Sequence, residues 1–482
     1  MIKYCHYDLR TTIYELLFTN YYLKMTNRTI FALATAPAKS GVAVIRISGE
    51  SALASLAMIS GISQPIPRHV YYCAIRHPSS AAVIDKGLAI YFKAPHSFTG
   101  EDVVELHLHG SIAVIREVLD VLSGLDVMYM AEPGDFTRRA FINGKMDLLE
   151  AEGLADLINA DTNAQKTQAM RQMQGEMSAF YAEIRGKTIN CLALLEAYID
   201  FPDEEIPESV LIKWRETIIS LQNSINNALA DGKRGERLRD GLSIVIVGAP
   251  NAGKSSLLNV LAGRDAAIVS HHAGTTRDVI EVHMDIAGYP VVLTDTAGLR
   301  ESENEIEQEG IRRALARAGQ ADIKLALFDA SELPDMDKNT KELLDENTIV
   351  IISKIDTVTP HSLRGLELQA QSVLFPDPAI RRGDIVEIST KTGQGIDQLL
   401  ALIEEKVKDF FVSGSAPFIT RSRHRLLLLE AEMLLKAALI PKPLELSCEE
   451  LRRAALAIGK ITGKIQVDDV LDVIFKEFCI GK

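Results

Sequence analysis

Gly248-Ala-Pro-Asn-Ala-Gly-Lys-Ser255 decides how this chain is read. The apolar run Ile244–Val247 precedes it and Leu257-Leu258-Asn259-Val260-Leu261 follows. Strand, glycine loop, helix is the order a phosphate-binding loop requires. Glycines at 248 and 253 let the backbone curl until its N–H groups converge on phosphate oxygens. Lys254 then reaches the terminal phosphates as a catalytic cation, and the Ser255 hydroxyl is placed to ligate magnesium. Asn251, Ala252, Gly253 and Ser256 complete the nucleotide-binding run expected here.

Three further motifs lie downstream in a fixed order. Asp295-Thr-Ala-Gly298 follows the apolar strand Val291–Leu293, where Asp295 suits a water-mediated magnesium contact and the Gly298 N–H a γ-phosphate sensor. Gly274-Thr-Thr-Arg-Asp278 lies between, at the place of a magnesium-ligating switch threonine. Ile349–Ile352 ends in Ser353-Lys354-Ile355-Asp356, where an aspartate can accept from N1 and the exocyclic amine of guanine. Ser389-Thr390-Lys391 can supply a backbone contact to the guanine carbonyl. Each motif alone is weak; four in order, each at a strand end, specify a guanine-nucleotide switch.

Two departures from the usual pattern matter. Ser353 stands where the base-specificity motif usually opens with asparagine; a serine has no side-chain amide to brace the pocket, so weaker nucleotide affinity is expected. Leu299 occupies the position at which Ras-type GTPases carry a water-orienting glutamine. Other groups must therefore place the water and neutralise developing charge. Asn251, as part of a monovalent-cation site, and the segment Glu301–Glu309 are the local candidates.

The remaining chain bounds what this switch is attached to. Its 482 residues suit about three domains. No apolar run approaches the ~20 residues that span a bilayer. Five scattered cysteines without a CxxC pair argue for reduced thiols and a cytoplasmic setting. A net charge of −13 argues against non-specific coating of nucleic acid. Residues 1–24 make a poor signal peptide and read as a loose extension.

From Thr29 the chain is strand-like: Val42–Ile47, Gly87–Phe92 and Glu101–His109, with a helix over Ile112–Leu122. Alternation puts Val104, Leu106 and Leu108 on one strand face and Glu105, His107 and His109 on the other. That trio spaces like a metal site, with no fourth ligand evident. Arg46 alternates out of an apolar strand, with a surface ion pair as the alternative to a functional role. From Met146 helical periodicity takes over, through Ile184, Thr188, Leu192, Leu195 and Ile199, then Trp214, Ile218, Leu221 and Ile225. A charged stretch, Asp231–Asp240, leads into the nucleotide segment, and helix returns after about Arg421 with a capping box expected at Ser447 and Glu450.

Taken together, these residues resemble the MnmE (TrmE) family of tRNA-modifying GTPases, from about Thr29 to the C-terminus. The phosphate loop carries the resemblance, with Ala267–Val269 running into Ala273-Gly-Thr-Thr-Arg-Asp278 and Asp295-Thr-Ala-Gly-Leu-Arg300. So do Ser97-Phe-Thr-Gly-Glu-Asp102, Pro133-Gly134, Phe201-Pro-Asp-Glu-Glu205 and the terminal Phe478-Cys-Ile-Gly-Lys482.

The resemblance implies a multidomain α/β protein. Residues 25–145 would form an α+β tetrahydrofolate-binding and dimerisation domain. Residues 146–239 and 416–482 would form a discontinuous all-α domain, interrupted by a Ras-like P-loop GTPase domain at 240–415. It further implies a homodimer that joins the flavoprotein MnmG (GidA) in a heterotetramer. That assembly installs an aminomethyl or carboxymethylaminomethyl group on carbon 5 of the wobble uridine of certain tRNAs. Potassium ligands fall on Asn251, Ser270, His272 and Thr275, and magnesium ligands on Ser255 and Thr276. The water-orienting acid falls on Glu307, which on composition alone is the solvated start of an acidic helix. Contacts to 5,10-methylenetetrahydrofolate or 5-formyltetrahydrofolate fall on Arg46, Glu105, Lys145 and Lys482. Ser270 and His272 replace the commoner Thr and Ile. A ribosome-assembly GTPase or a purely regulatory GTP switch would share the nucleotide motifs; the first should carry a basic RNA-binding module, which the composition lacks.

Overall fold

The computed structural model describes residues 28–200, 208–263, 281–295, 319–333, 337–358, 384–412, 419–465, 471, 474–476 and 478–481. The chain forms two compact units, residues 1–155 with 462–482, and Asp156–Ile461.

In the first unit, six strands make one sheet: β1 (Thr29–Leu33), β2 (Ser40–Ser48), β3 (Val70–Arg76), β4 (Val83–Phe92), β5 (Val103–Gly110) and β6 (Met128–Met130), in the order β3-β4-β5-β2-β1-β6. Val104, Leu106 and Leu108 of β5 are buried, while Glu105 and His107 are half-buried and His109 exposed. The period-two pattern thus lays one face on the helices Ala52–Ser60 and Ile112–Ser123 and frees the other for polar work. On that freed face Arg46 of β2 lies directly opposite Glu105 of β5.

The second unit holds a sheet of β7 (Leu242–Gly248), β8 (Glu281–Ile286), β9 (Tyr289–Asp295), β10 (Ile323–Asp329), β11 (Thr348–Ser353) and β12 (Ile385–Glu387), in the order β12-β11-β10-β7-β9-β8. Only β8 is antiparallel to its neighbour. All residues of β10 and β11 are buried, as expected of parallel strands covered on both faces. After β7 the chain goes out to β9 on one flank and returns to β10 on the other. The loop after β7 therefore opens at a topological switch point, where such sheets bind ligands. The helix Lys254–Ala262 runs back from that loop, with Leu257, Leu258 and Leu261 in the core.

Helices Glu176–Asp200 and Glu208–Asp240 pack with Ser422–Ala438 and Leu444–Ile461, which follow the nucleotide sheet in the chain. Cross-links between the two halves include Arg425–Glu236 at 2.9 Å and Arg452–Glu196 at 2.7 Å. Two local expectations need correction. The buried stripe of the first helix runs Met177, Tyr181, Ile184, Thr188, Cys191, Leu195, leaving Leu192 and Ile199 only half-buried. Steps of four and three keep the 3.6-residue period on one face, and burial pushes the Cys191 thiol up to about 11. The charged stretch Asp231–Asp240 that leads into the nucleotide segment is the last part of the 33-residue second helix. Arg237 and Lys233 hold it to the buried Asp322 at the head of β10, at 2.7 and 3.2 Å. Finally, Ser447 lies inside the helix Leu444–Ile461, and its hydroxyl donates to Ala438 O at 3.0 Å. It satisfies an orphan carbonyl of the preceding helix instead of starting its own.

Among the described residues, no helix is long and apolar enough to cross a membrane.

Candidate functional site

Backbone conformation builds the phosphate loop. A Cβ on Gly248 would sit 2.7 Å from Leu327 O, so only glycine lets β7 end against β10. Asn251 and Gly253 adopt positive φ, 63° and 100°, which turn the chain into the helix N-terminus. Buried Lys254 folds its ammonium over the loop, donating to Gly248 O and Ala249 O at 2.8 Å each. Burial lowers its pKa, partly offset by the charges of Asp295 and Asp337. A phosphate oxygen would relieve that desolvation directly. Ser255 Oγ donates to Asp295 Oδ2 at 2.8 Å, because the β7–β9 register sets Asp295 opposite Ile246 at the strand ends. One hydroxyl and one carboxylate oxygen form the hard donor set that suits magnesium.

The base-recognition end lies two strands away. Ser353, 2 % exposed at the end of β11, donates to Ala252 O at 2.7 Å and approaches Phe328 O at 3.2 Å. The expectation that serine cannot brace this pocket needs qualifying. It has no amide, but its hydroxyl ties the base loop to the phosphate loop. Lys354, at φ 58°, pairs with Asp329 at 2.7 Å. Burial pushes the Asp329 carboxyl up, but bonds from Lys354 and Ser331 outweigh it and hold it below the usual carboxylate range. Asp356 is exposed, and Ser389 Oγ donates to its Oδ1 at 2.7 Å, fixing the carboxylate beside the Ser389–Lys391 turn. Sequence reasoning missed Asp329; its signal was an aspartate directly after the apolar run Leu325–Phe328.

Ser270, His272, Thr275, Thr276, Gly298 and Glu307 lie outside the described residues, as does Lys482. Of the four potassium positions only Asn251 is described.

A second polar cluster occupies the free face of the N-terminal sheet. Arg46 Nε and Nη2 reach Glu105 Oε1 at 3.0 and 2.9 Å, and Nη1 donates to Gly481 O of the C-terminal tail at 3.4 Å. The Arg46 guanidinium lies 5.3 Å from the Phe98 ring and 5.7 Å from Phe136. This is more than a surface ion pair: both partners are under one-fifth exposed and the tail covers them. Lys145 Nζ is not in this pair; it donates to Pro95 O at 3.0 Å. His109 pairs with Asp85 at 2.9 Å and so leaves Glu105 and His107, against the strand-face metal alternative. Among the described residues no group of three metal-ligating side chains forms.

Two family models cover nearly the whole chain: "GTP-binding protein TrmE N-terminus" over residues 29–145 and "MnmE helical domain" over 148–479. The tRNA modification GTPase MnmE of Parvibaculum lavamentivorans is 49% identical over 461 residues, 94% of this chain and all of that one. Those of Paramagnetospirillum magneticum and Orientia tsutsugamushi are each 46% identical, over 95% of this chain and their full length. Fold and site together define a P-loop GTPase. The chain belongs to the MnmE family of tRNA modification GTPases.

Proposed function

We propose that this GTPase of tRNA modification is potassium-activated and works with the flavoprotein MnmG, as a homodimer within a heterotetramer, in the cytoplasm. Its product is an aminomethyl or carboxymethylaminomethyl group on carbon 5 of the tRNA wobble uridine. The observation that supports this reading is a half-buried Arg46–Glu105 pair with the Gly481 carbonyl against it, in the same chain as a P-loop; we read the pair as a cradle for a one-carbon folate. A ribosome-assembly factor or a bare switch has no use for the first.

In this reading Lys254 neutralises charge on the terminal phosphates of GTP, and Asp356, steadied by Ser389, accepts from the guanine edge. Ser255 and Thr276 would hold magnesium, which would screen the charge of the terminal phosphates. Asn251, Ser270, His272 and Thr275 would hold potassium, which would supply the positive charge that an arginine finger provides elsewhere. Glu307 orients the attacking water, since Leu299 cannot. At the cradle, Glu105, its carboxylate fixed by Arg46, would accept from N–H groups of the folate. Lys145 and Lys482 complete the contacts to methylene- or formyltetrahydrofolate, whose chemistry supplies the added carbon.

Mass spectrometry of tRNA from a strain lacking this chain tests the reading. The wobble uridine should lose its carbon-5 substituent and regain it on complementation. An unaltered nucleoside pattern with a ribosome-assembly defect would overturn it.

A further inference from the structure

Beside the Arg46–Glu105 cradle lies a cationic feature with no part in the function so far. A surface cleft of about 380 Å³ is lined by Pro67, Arg68, Lys93, Ala94 and His96. The loop Lys93–His96 that forms one wall is held at two adjacent carbonyls: Arg68 Nη2 donates to His96 O at 3.1 Å, and Lys145 Nζ to Pro95 O at 3.0 Å. Both cations rest on neutral carbonyls and keep most of their donors for another partner. The two carboxylates further along the β4–β5 connection are taken: Asp102 by Tyr91 Oη and Ala94 N, each at 2.9 Å, and Glu101 by Arg139 and Ser48 Oγ, at 2.8 and 2.7 Å. Among the described residues, no carboxylate pairs with Arg68, Lys93 or Lys145.

The same loop connects this cleft to the cradle. Phe98, whose ring lies 5.3 Å from the Arg46 guanidinium, is two residues past His96. Two residues span at most about 7 Å. A folate with its pterin at Glu105 carries at its far end one glutamate or a chain of γ-linked glutamates, that is, carboxylates spaced along a flexible tether. We propose that the Arg68–Lys93–His96 cleft binds the carboxylates of this oligo-γ-glutamate tail. The assignment rests on the folate reading of the cradle. A short polyanion fits a cleft of this size better than RNA, whose backbone needs a longer basic track.

The test is titration of the full-length protein with 5-formyltetrahydrofolate in its monoglutamate and pentaglutamate forms, at low and high salt. The pentaglutamate should bind about tenfold tighter at low salt, the worth of one or two exposed ion pairs. Arg68→Ala with Lys93→Ala should remove that preference and leave monoglutamate affinity unchanged. Equal affinity of the two forms for the wild-type protein overturns the cleft assignment and leaves the cradle standing. Binding of neither form overturns the folate reading and the cleft with it. A double variant that keeps the pentaglutamate preference but loses tRNA affinity overturns it in favour of an RNA contact.

Discussion

A serine hydroxyl has one proton to give, and Ser353 sets it between two carbonyls, Ala252 O in the phosphate loop and Phe328 O in β10. Removing it leaves a buried acceptor unmet, at about 1–3 kcal/mol. Ser353→Ala should therefore weaken GDP binding by about five- to a hundredfold, read by displacement of a fluorescent analogue. Unchanged affinity would show the tie to be idle. The role was half legible: the motif located the residue, but only the fold brings residue 353 against 252, because β11 and β7 flank β10. Asp329, with its low pKa, makes a pH prediction. A carboxyl depressed in the folded state contributes stability in full above its unfolded value near 4, and loses it as pH falls through the lower folded value. Chemical denaturation from pH 6 to pH 2 should therefore show a shallower acid loss for Asp329→Asn than for the native protein. At neutral pH the variant should already be less stable, by about 1–3 kcal/mol. An identical acid limb would refute the assignment.

Elements were legible where one face is buried and illegible where the partner is remote. The strict alternation of β5 and the apolar runs of β7, β9 and β11 located those strands, while β3, with its half-exposed Tyr71 and Cys73, shows no such alternation and was missed. The capping box at Ser447 failed because the same Ser-x-x-Glu spacing occurs inside a helix, where the hydroxyl served a neighbour. A true capping box at Thr162 and Gln165 was overlooked since no apolar run follows it. The tail is the element most open to test. Gly481 has φ 94°, and a Cβ there would collide with Leu33 O. Gly481→Ala should lift the tail off β1 and take its carbonyl from Arg46. Folate affinity should fall about tenfold, on the scale of a lost hydrogen bond to a charged group, with tRNA-free GTP turnover unchanged. Equal folate affinity would detach the tail from the cradle.

At the scale of the whole molecule, the nucleotide sheet is inserted between helices, and its two connections meet at one carboxylate. Asp156 Oδ1 accepts from Arg239, just before β7, at 3.1 Å, and from Arg421, which follows the sheet in the chain, at 2.8 Å. Arg421 is buried and Arg239 and Asp156 are half-buried. Asp156→Ala would remove the carboxylate that Arg239 and Arg421 share, for about 1–3 kcal/mol, while Arg239 keeps Asp240 at 3.1 Å. Because the pair ties entry to exit, the loss should also let nucleotide and helical segments melt at separate temperatures in calorimetry. A single transition merely shifted downward would make Asp156 an ordinary ion-pair residue. Hydrolysis itself depends on a separate proposal. With Leu299 in place of a glutamine, Glu307→Ala should keep GTP binding and lose turnover by about 10²-fold or more, the cost of a misplaced general base or water. Sodium substituted for potassium at equal ionic strength should slow the native enzyme comparably. If potassium still accelerates Glu307→Ala by its native factor, the ion and the acid act independently. If neither change slows hydrolysis, both assignments fall, and the water must be placed by a group the motifs do not contain.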